Sequence, residues 1–375
     1  MNHQATSPSQ GLFDALARNW RLPAVAQAFA SGADGAIIAI ARADGALSLA
    51  PLADPEPPDT RLRIGGDTGR ATIQARRAPP PPLITTAALS RTAPCLMAHP
   101  RGGFLAGADT GALFHIAADG TQTSFGEALG APVIALAALP AGPFIAAACK
   151  EAVFLLSPDG ALIERIDGLP EEVTCLSAAG DGRHLAIACG SHVLALTPGA
   201  GQPRMILPGG TVQAVGWRGD GAYLACALGA EGLALIDLAR GDASRFGAFP
   251  TPVTSIDWSE PAQAVLASGA FRIAGWTWAA RDTPFRDSRE GALQTGQTSL
   301  VPIERVAAHP TKPLAAAGLV NGQVVIAPIG VAEELPVKPI GGSLSLLGWS
   351  PAGDLILADV GGSFAIMTFP HRLFK

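Results

Sequence analysis

One residue pattern returns eight times along this chain: a large aliphatic residue followed directly by alanine, inside an apolar run that begins just after a turn. The pairs are Ile38-Ala39, Leu105-Ala106, Ile145-Ala146, Leu185-Ala186, Leu224-Ala225, Leu266-Ala267, Leu314-Ala315 and Leu357-Ala358. Successive alanines are 67, 40, 40, 39, 42, 48 and 43 residues apart, so six of the seven intervals lie near forty and the first carries an insertion. A chain that repeats at this period is built from copies of one small unit, and each copy hides its apolar faces only by packing on the next.

Around each pair the local grammar is the same: an apolar strand, a turn, a second apolar strand, a tight turn containing glycine, and a third strand. Unit two reads Cys95 to Ala98, then His99-Pro100-Arg101-Gly102-Gly103, then Phe104 to Gly107, Asp109-Thr110-Gly111, and Ala112 to Ile116. Unit five places Val212 to Trp217, Ala222 to Leu228 and Leu233 to Asp237 in the same slots, and the last unit places Leu344 to Trp349, Leu355 to Ala358 and Ser363 to Met367 there. Asp44-Gly45, Asp119-Gly120, Asp159-Gly160, Asp181-Gly182 and Asp220-Gly221 mark hairpins, because short strand connections need backbone conformations that a Cβ opposes. With 44 Gly, 32 Pro, 48% apolar and 15% charged residues, the chain reads as ordered and all-β.

The pattern resembles the WD40 repeat family from about Val25 to Met367. Trp349-Ser350-Pro351, Trp258-Ser259, His309-Pro310 and Asn321-Gly322-Gln323-Val324 carry the likeness, together with the Leu-Ala strands. The resemblance implies a β-propeller of WD40-like blades. Eight three-stranded units are expected, with seven blades as the alternative if the first is absorbed into insertions. Two family features are missing: a Trp-Asp pair closing the third strand and a Gly-His pair before the first. In the family these build a hydrogen-bond network inside each blade, so here apolar packing and turn chemistry are expected to replace it.

The reading divides the chain into an N-terminal tail, 1–24, and one propeller domain, 25–375, with insertions near 54–91 and 281–297. Leu12, Phe13, Leu16 and Trp20 recur at helical spacing and predict a short amphipathic helix that docks on the chain's own propeller or on another protein; the first reading is preferred. The last unit ends after its third strand, so an N-terminal strand around Trp20 to Pro23 is expected to complete its sheet and close the ring. In the first insertion Arg61, Arg63, Arg70, Arg76 and Arg77 precede Pro79-Pro80-Pro81-Pro82, which is either a basic docking arm with a polyproline handle or an elaborated outer strand with a loop; the second reading is preferred. Gly65-Gly66-Asp67-Thr68-Gly69-Arg70 lacks the lysine of a phosphate loop and reads as a turn. The charges of the second insertion, Arg281, Asp282, Arg286, Asp287, Arg289 and Glu290, read as a solvated loop, with a partner site as the alternative.

Function is expected at the turns between second and third strands, which come to one face beside the channel. Asp44, Asp109, Lys150, Glu151, His192, Glu231, Arg272 and Asn321 are the candidate protein-binding residues there. No catalytic, cofactor or metal residues are identified. The histidines, His3, His99, His115, His184, His192, His309 and His371, contain no HxH or HxxxH pair; His99 and His309 share a turn slot with Ser350, which argues for turn structure. Ser191-His192 adjacency is not a triad. Trp217, Trp258 and Trp349 share another slot and are expected to fill space between blades. Cys95, Cys149, Cys175, Cys189 and Cys226 are odd in number, lie in apolar runs and read as buried reduced thiols. The net charge of −5 disfavours nucleic acid, and no signal peptide or membrane span is evident. The expected function is a cytoplasmic, noncatalytic scaffold that binds protein partners and needs no cofactor. The alternative is a propeller enzyme, or a binder of a small ligand or metal, with its site at the channel mouth.

Overall fold

Every alanine of the eightfold pattern lies fully buried in the second strand of its own sheet. These second strands are buried on both faces, as in Leu185–Cys189 and Leu314–Leu319, because each sheet is sandwiched between two others; that is why they read as unbroken apolar runs. The computed structural model describes residues 11–64, 71–142, 144–201, 203–278, 291–371 and 373. Among these, eight antiparallel sheets follow one another along the chain as the blades of a β-propeller.

The inner strands, in blade order, are Ala26–Ser31, Cys95–Ala98, Ala135–Leu139, Val173–Ala178, Ala214–Trp217, Ile256–Ser259, Ile303–Ala308 and Leu344–Trp349. Each contacts the next, and the eighth contacts the first, so the sheets come round to their starting point. The core is correspondingly divided into eight apolar clusters, one between each pair of neighbouring blades. Between blades four and five, for example, Ala186, Ala188 and Val193 pack on Leu224, Cys226 and Ile236.

Seven of the eight sheets have four strands, not three. The additional outer strands, such as Gln122–Ser124 and Arg204–Ile206, are short and largely exposed, so they carry little of the apolar signal that reveals the inner three. Blade six has three named strands, and residues 291–295 run beside its third strand through bridges at Trp276–Ala292 and Ile273–Thr295. The rest of that insertion, 281–290, lies outside the described residues, as do Gly65 to Arg70 and His3.

The outer strand of blade eight is Ala17–Arg21, paired antiparallel with Ser363–Met367 so that Ala17 faces Met367 and Arg21 faces Ser363. It begins three residues before the expected position. The helix before it is a single turn, Leu12–Leu16, and Trp20 belongs to the strand instead, because the edge of Ser363–Met367 offers the backbone a ladder that a longer helix would forgo. Leu16 is fully buried in the cluster between blades seven and eight, and Leu12 and Phe13 pack against it.

Arg18 fastens this joint. Its side chain is fully buried, and its guanidinium donates to the carbonyls of Pro51, Leu52 and Ala53 at 2.7–3.1 Å, tying blade eight to blade one. Burial holds its pKa below the ordinary arginine value. Two arginines of the first insertion are spent internally: Arg61 donates to the carbonyls of Ala15, Glu56 and Gln74, and Arg76 pairs with Asp54. The polyproline run is held by the chain itself, with the Trp20 indole donating to Pro81 at 2.7 Å, and Ile84–Thr85 supplies the outer strand of blade one.

Two substitutions test this architecture. Arg18→Ala leaves three carbonyls without their charged donor and is expected to lower unfolding free energy by about 3 kcal/mol in urea denaturation. Ala186→Leu overfills a blade interface and is expected to cost about 1–3 kcal/mol in the same assay.

Candidate functional site

Because every blade is a meander that starts at the channel, turns between first and second strands gather on one face and turns between second and third strands on the other. The second face also carries the connections between blades, and backbone bonds join the two: Val173 N–H to Lys150 O at 2.7 Å, Val212 N–H to Gly190 O at 2.8 Å, and Gly341 N–H to Asn321 O at 3.0 Å. We call this the connection face.

All eight predicted residues lie in or beside turns between second and third strands. Most are occupied with the fold itself. Asp44 makes a two-pronged pair with Arg42, which holds its carboxyl below the usual range. Lys150 pairs with Glu172 at 2.8 Å, and Asn321 accepts the Gln323 N–H in its own turn. Asp109 accepts from the Arg91 N–H through Oδ2, while its buried Oδ1 has no partner among the described residues. The side chains of Glu151, Glu231 and Arg272 make no hydrogen bond or ion pair among the described residues. The set is spread round the ring and forms no single cluster.

His192 belongs to a local group in which Glu171 Oε1 accepts from the Ser191 hydroxyl at 2.6 Å and lies 2.8 Å from His192 Nδ1. Bonds from the Ser191 side chain and backbone and from His192 push the Glu171 carboxyl down to about 2. Serine and acid both meet Nδ1, whereas a nucleophilic triad needs them on opposite ring nitrogens. The group therefore ties a connection to a turn.

The sequence reading missed a second feature of this face. Phe271, Leu300, Val320, Ile340 and Val360 are exposed, with Leu300 at 97% and Ile340 at 71% relative accessibility. They lie in the turns of blades six to eight and in the connections between them. Backbone bonds make them neighbours: Ser299 N–H to Phe271 O, Val320 N–H to Pro302 O and Val360 N–H to Ser343 O, at 2.8–3.1 Å. Gly322, at φ +79°, lets the Val320 turn close on this connection; a Cβ there would meet the Gly342 carbonyl oxygen at 2.2 Å. A signal existed in the repeat. The residue two before the turn glycine is Ala43, Asp109 and Ala230 in blades one, two and five, but Val320 and Val360 in blades seven and eight.

On the opposite face the shared slots have shared roles. His99 Nδ1 accepts the Arg101 N–H, His309 Nδ1 accepts those of Thr311 and Lys312, and Ser350 Oγ accepts that of Asp354, so each caps its own turn. Burial lowers both histidine pKa values, which favours the neutral ring that can accept. The indole N–H groups of Trp217, Trp258 and Trp349 donate to Ser177, Gly216 and Ala307 on the preceding blade at 2.8–3.1 Å. The slot therefore provides a tie between blades as well as filling space.

Inside the channel, near this face, Asp257 lines a cavity of about 600 Å³ with Phe29, Ser31, Ser255 and Trp349. Burial raises its pKa to about 6, against bonds from the N–H groups of Ala308 and Trp258 that lower it. No group of three or more His, Cys, Asp or Glu suited to a metal occurs among the described residues. The five cysteines are unpaired, and burial raises the pKa of each, to about 12 for Cys95 and Cys189. No helix is long and apolar enough to cross a membrane among the described residues.

No protein-family model matches the sequence. No curated protein matches it. Solved structures do share its shape. The C-terminal WD40 domain of Sif2 superposes with a TM-score of 0.63 at 15% identity, over 94% of this chain and 98% of that one. The β-propeller domain of Myceliophteria thermophila Cps50 (Swd1) gives 0.57 at 12%, over 95% and 100%. The computationally designed Ika8 protein gives 0.67 at 15%, over 93% and 98%. At these identities the likeness is one of fold.

Two measurements follow. The raised Asp257 value means that the folded chain holds this proton more tightly than the unfolded chain. Its stabilising effect is therefore full below the ordinary value of 3.8 and lost as pH rises to about 6. Denaturation of wild type and Asp257→Asn at about pH 4 and about pH 7 should show the wild type losing ground at the higher pH. A thiol reagent at about pH 8 should label none of the cysteines in the folded protein at an appreciable rate and all of them after denaturation, because the thiolate is the reactive form.

Proposed function

We propose that this chain, whose fold is that of the WD40 β-propellers, is a noncatalytic protein-binding module that engages its partner through the connection face of blades six to eight. The observation that carries this reading is the arc of Phe271, Leu300, Val320, Ile340 and Val360, large apolar side chains held in solvent by bonded turns on a closed ring. Adjoining apolar side chains exposed on a rigid frame are the kind of surface that a protein partner covers. Arg272 and Asn321, directly after Phe271 and Val320, supply the polar rim that such interfaces have. The other predicted residues serve mainly to hold the turns. The unpaired thiols support a reducing, cytoplasmic setting.

Affinity capture with the wild type and with Leu300→Asp/Ile340→Asp provides the test. A partner that binds through the arc should be retained at least about tenfold less by the double variant, since charge placed in the centre of an interface is poorly tolerated. Leu162→Asp, on the exposed outer strand of blade three, should retain it fully. Equal retention by all three proteins would overturn the assignment of the arc.

A further inference from the structure

We infer that the channel, at the end where first and second strands meet, binds an organic cation, an ammonium or guanidinium group on an apolar stem, with Asp257 as its counter-ion. This site opens on the opposite face from the arc and is independent of it.

The carboxylate is fixed. Oδ1 accepts the Trp258 N–H and Oδ2 accepts the Ala308 N–H, each at 2.8 Å, so the group is pinned between the inner strands of blades six and seven and cannot swing to meet a distant charge. Ser255, one turn of the pleat away, bridges the same two blades by exchanging bonds with Val306. Each carboxylate oxygen retains capacity for a further donor.

The charge has no cationic partner among the described residues. No lysine, arginine or histidine lines the cavity, and no charged side chain contributes to the titration of Asp257. Two structural carboxylates elsewhere in the molecule do have cationic partners: Asp44 has Arg42, and Asp54 has Arg76. An ionised carboxylate held partly out of water costs free energy unless a cation offsets it.

The walls select the kind of cation. Phe29, Val306, Leu347 and Trp349 surround the carboxylate with apolar and aromatic surface, and Gly348 makes room for the Phe29 ring, which a Cβ there would meet at 2.4 Å. Aromatic faces beside a carboxylate suit a cation with a hydrocarbon body. A hard metal ion would need six or more oxygen ligands, which the side chains of one carboxylate and three serines, one of them Ser350 already bonded in its own turn, do not supply. The cation could be a free amine or a lysine or arginine side chain of a peptide; the chemistry is shared.

Titration calorimetry of the full chain distinguishes these sources and tests the site. The probes are butylammonium, the capped tripeptides Gly-Lys-Gly and Gly-Arg-Gly, and Gly-norleucine-Gly as the uncharged control. At least one cationic probe is expected to bind and to shift the Ala308 amide resonance, while the norleucine peptide does neither. A peptide that binds more tightly than butylammonium identifies a protein source, and the reverse order a free amine. Asp257→Asn should weaken binding by about tenfold or more. Ser31→Lys, which places an ammonium of the chain's own in the cavity, should abolish it while keeping Asp257, and so answers the question even where the asparagine variant folds poorly. Equal binding of the norleucine and lysine peptides, unchanged affinity in either variant, or no binding by any cationic probe would overturn the site.

Discussion

No blade can cover both of its own faces, and the rest of the structure follows from that constraint. A sheet of three or four strands buried on one side only would leave a wall of Leu, Ile, Val and Ala in water, so each must lie between two others, and only a closed circle gives every sheet two neighbours. The eight interblade clusters are the result. The alanine in each second strand serves the same end, since sheets that converge on a common axis leave little depth between them close to it. A larger side chain at Ala186 or Ala225 would prise two blades apart.

The residues that stiffen blades in the WD40 family are missing, and the chain replaces them with simpler parts. His99, His309 and Ser350 cap equivalent turns from equivalent positions. In blade eight Asp354 joins the Ser350 and Thr368 hydroxyls, at 3.0 and 2.7 Å. Three tryptophans bond across to the blade before. These devices act mostly within one turn or across one interface, which suits a repeat whose copies have drifted apart in sequence.

The eight sheets were legible in the sequence because the alternation of apolar runs and glycine turns is strongest where burial is two-sided. Ser363–Met367 and Leu344–Trp349 fall where the pattern places them. The outer strands were not legible, since a strand such as Leu162–Ile166, exposed along most of its length, has no buried face to write a period into its residues. The start of the first strand was misplaced because Arg18 looks like a surface residue; only the assembled ring shows that it is fully buried against three carbonyls of blade one. The candidate site was legible in its location but not in its chemistry. Turn residues such as Asp44 and Asn321 drew notice for being polar, yet polar turn residues mostly satisfy their own backbone. The informative positions were the aliphatic exceptions, Val320 and Val360, and an inner-strand aspartate, Asp257, whose lack of a counter-charge appears only when blades six, seven and eight are seen together.

The pairing of Ala17–Arg21 with Ser363–Met367 joins segments separated by almost the whole described chain. During synthesis the early strand emerges long before its partner exists, and blades two to seven can form while it waits. Closure is then a late event, because its contacts are so widely separated in sequence, and the half-made molecule carries an open seam at both ends of its arc. Until Arg18 locks that seam, the strand edges of the two end blades stay open to other chains.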